Sequence, residues 1–239
     1  MRLDKYLSEA LQIARSASRA LAVAGRVTVD GAVCKKADAQ VTPGMDIRAD
    51  GKPLAREEYV YIMLNKPRGV VSASTDGRDT TVVDLLAGAF PRRQLFPAGR
   101  LDKDSTGFVL LTDDGPFAHA LLAPRRHVAK TYRVRLDGPV GPRVAQAFGQ
   151  GVTLADGQRM RPARLEVDAD DPCRATVVLT QGVYHQIKRM FGVYGLGVCE
   201  LHRQAIGPVA LDAALAPGQW RPLTRTEREQ LGAAPENGR

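Results

Sequence analysis

Residues 99–115 read GRLDKDSTGFVLLTDDG, and the fold turns on how that stretch divides. Gly99 to Gly107 is polar and bounded by glycines, which is the composition of a loop. Phe108–Leu111 is an unbroken apolar run of strand length, and Thr112-Asp113-Asp114-Gly115 is a turn that ends it. A polar loop therefore feeds a buried strand. Asp102 sits in that loop, with Arg100 two residues before it. On physical grounds alone, an aspartate ahead of a strand is more often a turn or cap residue than a catalytic one.

Outward from this stretch, short strands are separated by Gly, Pro and Asp. The patterning predicts strands at Tyr59–Leu64, Phe108–Leu111, Thr131–Leu136, Arg164–Val167 and Ala175–Leu179. Helical stretches are expected near Val82–Leu86, Phe117–Leu122, Val144–Gln150 and Gln186–Tyr194. Strands outnumber helices and do not alternate with them, so an α+β fold on an antiparallel sheet is expected over residues 59–232. Thr224 and Glu227 form a capping box for a last helix, and residues 233–239 are expected to be a frayed, disordered tail.

Residues 1–50 read as a separate helix-helix-hairpin module. Leu3, Tyr6, Leu7 and Leu11 recur at helical spacing. Ser16 is placed to cap a second helix and Gly25 to stop it. Val27-Thr28-Val29 alternates like a strand, and Asp30-Gly31 is a two-residue hairpin signal before Ala32-Val33. Residues 51–58 are polar and read as a linker. Within residues 1–56, ten Lys and Arg residues face six acidic ones.

The whole chain of 239 residues carries 34 Lys and Arg against 26 Asp and Glu, a net charge of +8. Such a surplus points to a polyanionic partner, nucleic acid above all, with plain solubility as the alternative. Apolar residues make up 44% of the chain, yet none of its windows reaches the roughly 18 uninterrupted apolar residues of a membrane span. No signal-peptide pattern opens it, and three scattered cysteines, Cys34, Cys173 and Cys199, suit a reducing, cytoplasmic setting. There is no phosphate-binding loop, no dinucleotide fingerprint, and no zinc spacing among four histidines and three cysteines. An enzyme without a metal or cofactor, or a binding protein, is what this leaves.

The 99–115 stretch resembles the signature of the pseudouridine synthases, in the RsuA branch that acts on ribosomal RNA. The resemblance continues through Leu64-Asn65-Lys66-Pro67-Arg68-Gly69-Val70, Lys130-Thr131-Tyr132 and Tyr184-His185-Gln186-Ile187-Lys188-Arg189-Met190. It ends with Glu200-Leu201-His202-Arg203 and the stretch from Pro217 to Leu223, so it covers essentially the whole chain. Residues 1–50 look like an S4 RNA-binding domain, with Arg2, Lys5, Arg15, Arg19 and Arg26 as candidate RNA contacts. The resemblance implies uridine-to-pseudouridine isomerisation without a cofactor, on a sheet that is bent and antiparallel.

It also implies roles. Asp102 is the catalytic carboxylate, Lys188 the cation that keeps it ionised, and Tyr132 the aromatic that stacks on the target base and handles its C5 proton. Leu201 lines the pocket, Arg100 fills the space left by the flipped nucleotide, and His185, Gln186 and Arg189 join in substrate binding. Each has a plainer reading. Lys188 and Arg189 suit a phosphate-binding basic helix, Tyr132 and Leu201 suit a core, and Arg100 suits a surface salt bridge. One departure is Val183, which stands where the family usually has arginine. The resemblance favours a uridine of 16S rRNA, then 23S rRNA. The implied partner is ribosomal RNA or an assembling ribosomal particle, bound by a monomer. The rival from another class is a non-catalytic S4-type protein that binds ribosomes.

Overall fold

The computed structural model describes residues 1–42, 44–54 and 59–232. The chain divides into two compact units, Met1–Tyr59 with Gly88–Arg93, and Val60–Ala87 with Gln94–Arg239.

The smaller unit holds α1 (Leu3–Ala10), α2 (Arg15–Val23) and four strands, β1 (Val27–Val29), β2 (Ala32–Val33), β3 (Ile47–Ala49) and β4 (Lys52–Pro53). The strands form one sheet in the order β2-β1-β3-β4. Asp30 and Gly31 both take positive φ, the two-residue turn that the right-handed strand twist prefers. Asp50-Gly51 repeats this conformation between β3 and β4. Lys52 and Pro53, expected in a linker, are therefore sheet residues; positions 55–58 of that linker lie outside the described residues, as does the 233–239 tail. The expected cap at Ser16 is also corrected. Ala14 is the N-cap of α2 and offers no side-chain bond, and Ser16 lies within the first turn. Gly25, at φ +72°, does close the helix just beyond Ala24. Leu3, Leu7, Ala22, Val27, Val41 and Ile47 form the core. Into it is set Asp4, fully buried and bound by Arg2 at 3.1 Å and Arg19 at 3.0 Å. Arg92, from the returning Gly88–Arg93 segment, donates to Ser8 Oγ.

The larger unit is built on a nine-stranded sheet. Its strands are β5 (Tyr61–Lys66), β6 (Phe96–Pro97), β7 (Thr106–Thr112), β8 (Lys130–Leu136), β9 (Arg164–Val167), β10 (Arg174–Leu179), β11 (Val198–Ile206), β12 (Val209–Ala210) and β13 (Trp220–Pro222). The order is β13-β5-β7-β11-β8-β10-β9, with β6 beside β7 and β12 beside β11. All pairings are antiparallel except β7 with β11, which is parallel. The antiparallel sheet that was expected is thus mixed at its centre. Four helices accompany it, α3 (Gly115–Leu122), α4 (Pro142–Gln150), α5 (Gln186–Gly192) and α6 (Arg225–Gly232). The helix expected at Val82–Leu86 shrinks to one 3-10 turn, Asp84–Leu86, which ends at Ala87 in the left-handed region. β11 was not foreseen at all.

Side-chain chemistry explains the helix starts. Asp114 accepts from the Phe117 amide at 2.9 Å, so the turn that ends β7 also caps α3. Thr224 and Glu227 exchange reciprocal bonds at 3.2 and 2.8 Å, the expected capping box of α6. In the core, Phe108 and Leu110 of β7 pack with Met63, Leu121, Ile206 and Leu231. Val109 and Leu111, which point to the opposite face, are equally buried. Gly107 stands where β7 meets β11. Its φ is +102°, and a Cβ there would lie on the Arg203 carbonyl oxygen and 2.7 Å from the Arg203 nitrogen. Only glycine permits that approach.

Candidate active site

The loop between β6 and β7 carries Asp102, and it is held from beneath by two buried cations. Lys66, fully buried at the end of β5, donates to the carbonyls of Ser105 at 2.6 Å, Pro67 at 3.0 Å and Lys103 at 3.3 Å. Burial pushes its pKa down to about 8, against the pull of Asp104 and Asp102. Arg203 of β11, 1% exposed, donates to the Phe108 carbonyl at 2.7 Å and to that of Arg100 at 3.4 Å. Ser72 completes the cradle, accepting from the Leu101 amide and donating to its carbonyl. The Lys103 carbonyl also accepts from the Gly69 amide at 2.7 Å, so side-chain cations and a backbone amide together satisfy the loop.

Above the cradle, Asp102 is partly exposed and meets α5. Lys188 Nζ lies 3.4 Å from Asp102 Oδ2, and His185 Nε2 lies 3.4 Å from the same oxygen. His185 is the N-cap of α5 and adopts left-handed φ and ψ of 50° and 30°, a costly conformation for a residue with a side chain. The closest partner of Lys188 is another carboxylate, Asp104, at 2.8 and 2.9 Å. Burial opposes the Lys188 charge, but the Asp104 bond and the charges of Asp104 and Asp102 outweigh it and raise its pKa. Asp104 is lowered, first by its hydrogen bond from Lys188. The expected pairing of Lys188 with Asp102 is therefore shared, and Asp104 takes the shorter bonds.

Tyr132 of β8 is buried between Arg203 and Val177 in the adjacent strands and faces the same space. With Leu201, Leu179 and Ile187 it walls a pocket of about 80 Å³ whose polar edge is Asp102, His185 and Lys188. Exposed Arg100 stands at its mouth. A wider cleft of about 630 Å³ continues from Asp102 and is bordered by Lys130, Arg161, Leu122 and Tyr184. Burial, then the charge of Arg203, lowers the Lys130 pKa to about 8.

Other expected residues are engaged elsewhere. Gln186 is buried; its oxygen accepts from the Val183 amide at 3.2 Å and its nitrogen meets Met190 Sδ at 3.7 Å. Although it borders the pocket, its amide serves the start of α5. Arg189 pairs with Asp156 and does not line the pocket. In the smaller unit, Arg2 and Arg19 bind Asp4, Lys5 reaches Glu9 at 3.9 Å, and Arg26 binds Asp50 at 2.6 Å. Arg15 alone of those five makes no ion pair among the described residues. Sequence reasoning missed Asp104, the cradle role of Lys66 and that of Arg203. A lysine closing an apolar strand and an arginine amid a strand-length run were the available signals. No group of three or more metal-ligating side chains occurs among the described residues.

Residues 60–192 match the RNA pseudouridylate synthase family, and residues 1–47 match the S4 domain. A ribosomal small subunit pseudouridine synthase A of Yersinia pestis is 44% identical over 237 residues, 98% of this chain and 99% of that one. The protein of the same description from Escherichia coli K12 is 43% identical, over 95% of this chain and 98% of its own. A crystal structure of a pseudouridylate synthase superposes with a TM-score of 0.67 at 37% identity, covering 97% of this chain and 99% of that one. By family match and by full-length relatives alike, this chain belongs to the RNA pseudouridylate synthases and carries an S4 domain at its N-terminal end.

Proposed function

We propose that this synthase isomerises a uridine of small-subunit ribosomal RNA, with Asp102 as the catalytic carboxylate. The observation that carries the reading is the convergence of Asp102, His185, Lys188, Tyr132 and Leu201 on one small pocket. In the reaction the N1–C1′ bond of uridine breaks, C5 bonds to C1′, the C5 proton leaves and the freed N1 takes up a proton, so the product is an isomer and nothing is oxidised or reduced. Asp102 opens it as a nucleophile or base at the sugar. A target uridine has to leave its stack to reach such a pocket. Tyr132 offers its ring to the extruded uracil, Leu201 the opposing apolar wall, and Arg100 stands where it can fill the gap left behind. Lys188 and His185, each 3.4 Å from Asp102 Oδ2, fix the direction of the carboxylate.

The small-subunit assignment rests on the descriptions of relatives that match along almost their full length. The S4 domain and the +8 charge favour ribosomal RNA or an assembling particle as partner. We further propose a monomer in the cytoplasm. Three unpaired cysteines suit a reducing compartment, and no helix among the described residues is long and apolar enough to cross a membrane. Pseudouridine mapping of 16S and 23S rRNA, from cells with and without the protein, tests the substrate; a site lost only from 23S rRNA would move the assignment there. Asp102→Asn should abolish turnover and leave RNA affinity within a few-fold, because many phosphate contacts supply affinity and one carboxylate supplies chemistry. Substantial activity in the purified variant would remove Asp102 from its role.

A further inference from the structure

Six large hydrophobic residues are exposed among the described residues, and two of them, Tyr184 and Leu122, border the cleft that opens from Asp102. Tyr184 is the most exposed of the six, at 67%. Its ring is stacked nonetheless. One face lies on the His185 imidazole, with centroids 3.8 Å apart and planes 19° from parallel. The other face is open. His185 in turn touches Asp102, so an aromatic stack rises from the carboxylate to the rim of the cleft. Arg100, Lys130 and Arg161 surround the same space, and neither Arg100 nor Lys130 pairs with a carboxylate among the described residues.

An open aromatic face inside a cationic cleft is the combination that holds single-stranded nucleic acid. The cations track phosphates, and the ring takes a base without regard to its identity. Extrusion of one nucleotide also strips a stacking partner from each of its neighbours. From this we infer that Tyr184 is the stacking platform for the base next to the target uridine, standing in for the uracil ring once that uridine leaves the helix. The inference rests on the proposed site at Asp102. It adds a second base-binding position, distinct from the pocket under Tyr132.

Titrating 16S rRNA transcript against the Asp102→Asn protein reads the platform apart from the chemistry. Adding Tyr184→Ala should weaken affinity about tenfold, the usual size for loss of one base–aromatic stack. Tyr184→Phe and Tyr184→Trp should bind within about twofold of the parent, since the ring is needed and the hydroxyl is not. In the active protein, Tyr184→Ala should lower the single-turnover rate at saturating RNA less than threefold. A fragment spanning the modified uridine, made abasic at one neighbour, should bind Tyr184→Ala and parent alike. Unchanged affinity in Tyr184→Ala, or a penalty that survives abasic substitution at either neighbour, overturns the platform. A rate loss at saturation as large as the affinity loss overturns it too, and makes Tyr184 a support for His185. Residual turnover in Asp102→Asn would instead overturn the site assignment and leave the affinity result standing.

Discussion

Lys188 donates to both oxygens of Asp104 at 2.8 and 2.9 Å and stands 3.4 Å from Asp102, so one ammonium serves two carboxylates. Lys188→Met removes the charge from both. We expect the single-turnover rate at saturating RNA to fall at least tenfold, about 1.4 kcal/mol, with a smaller loss of affinity. Lys188→Arg keeps the charge on a longer, planar group and should recover part of the rate. Asp104→Asn separates positioning from charge: Lys188 remains but loses its anchor, and a rate loss of about threefold to tenfold is expected. Lys130 gives a pH test. Its amine faces the cleft and titrates near 8, below the ordinary lysine value, so it is charged below pH 8 and neutral above. An anionic partner binds the charged form better, so affinity should fall several-fold from pH 7 to 9. Lys130→Met should flatten that limb, as binding titrations at constant ionic strength will reveal. That Asp102 and Lys188 would meet was an expectation the family resemblance supplied, and they do line one pocket. Asp104 was not foreseen, because spacing says which residues are near in the chain and nothing about which of two carboxylates a lysine reaches.

Among the elements, β7 was legible and β11 was not, although they lie side by side at the centre of the sheet. Phe108–Leu111 is apolar without a break, and burial on both faces follows. Val198–Ile206 contains Glu200, His202, Arg203 and Gln204, a composition that argues against a central strand. It is tolerated because the Arg203 guanidinium finds the carbonyls of Phe108 in β7 and Arg100 in the loop, and because Thr106 Oγ1 meets His202 Nδ1 at 2.9 Å. Polar partners that arrive from 95 residues away leave no mark on local periodicity. The second Asp-Gly hairpin carried the same signal as the first and was overlooked, since Lys52-Pro53, a charge and a proline, lacks the strand character of Ala32-Val33. The β7–β11 contact yields a stability prediction. Gly107→Ala places a methyl group into the Arg203 backbone at φ +102°, so both strain and overlap oppose it. A loss of about 3 kcal/mol or more in denaturant unfolding is expected. Gly77→Ala, with open space around its Cβ position and no positive φ, serves as the control and should change stability by less than about 1 kcal/mol.

Across the whole molecule, the positive charge divides into cations that hold the fold and cations that are free. Arg2, Arg19 and Arg26 are tied to Asp4 and Asp50. Arg15, Lys35, Lys36 and Lys52 are exposed and form no ion pair among the described residues. Changing these four together to Gln should lower the salt dependence of RNA binding, by about 0.7 in log–log slope for each phosphate that is no longer neutralised. Arg19→Gln should instead lower stability, because it strips one cation from a buried carboxylate, with little change in that slope. Affinity measured against salt, beside thermal unfolding, separates the two groups. The division of the chain into units has a consequence of its own. Gly88–Arg93 belongs with the first 59 residues, although Val60–Ala87 is made in between. During synthesis, the Arg92 bond to Ser8 has to wait until β5, whose Lys66 will later support the loop that carries Asp102, has left the ribosome. The order of translation thus makes the RNA-binding unit finish only after the next unit has begun. Once released from the ribosome, a chain that ends near residue 60 should therefore be cut by protease more readily within residues 1–54 than one that ends beyond residue 93.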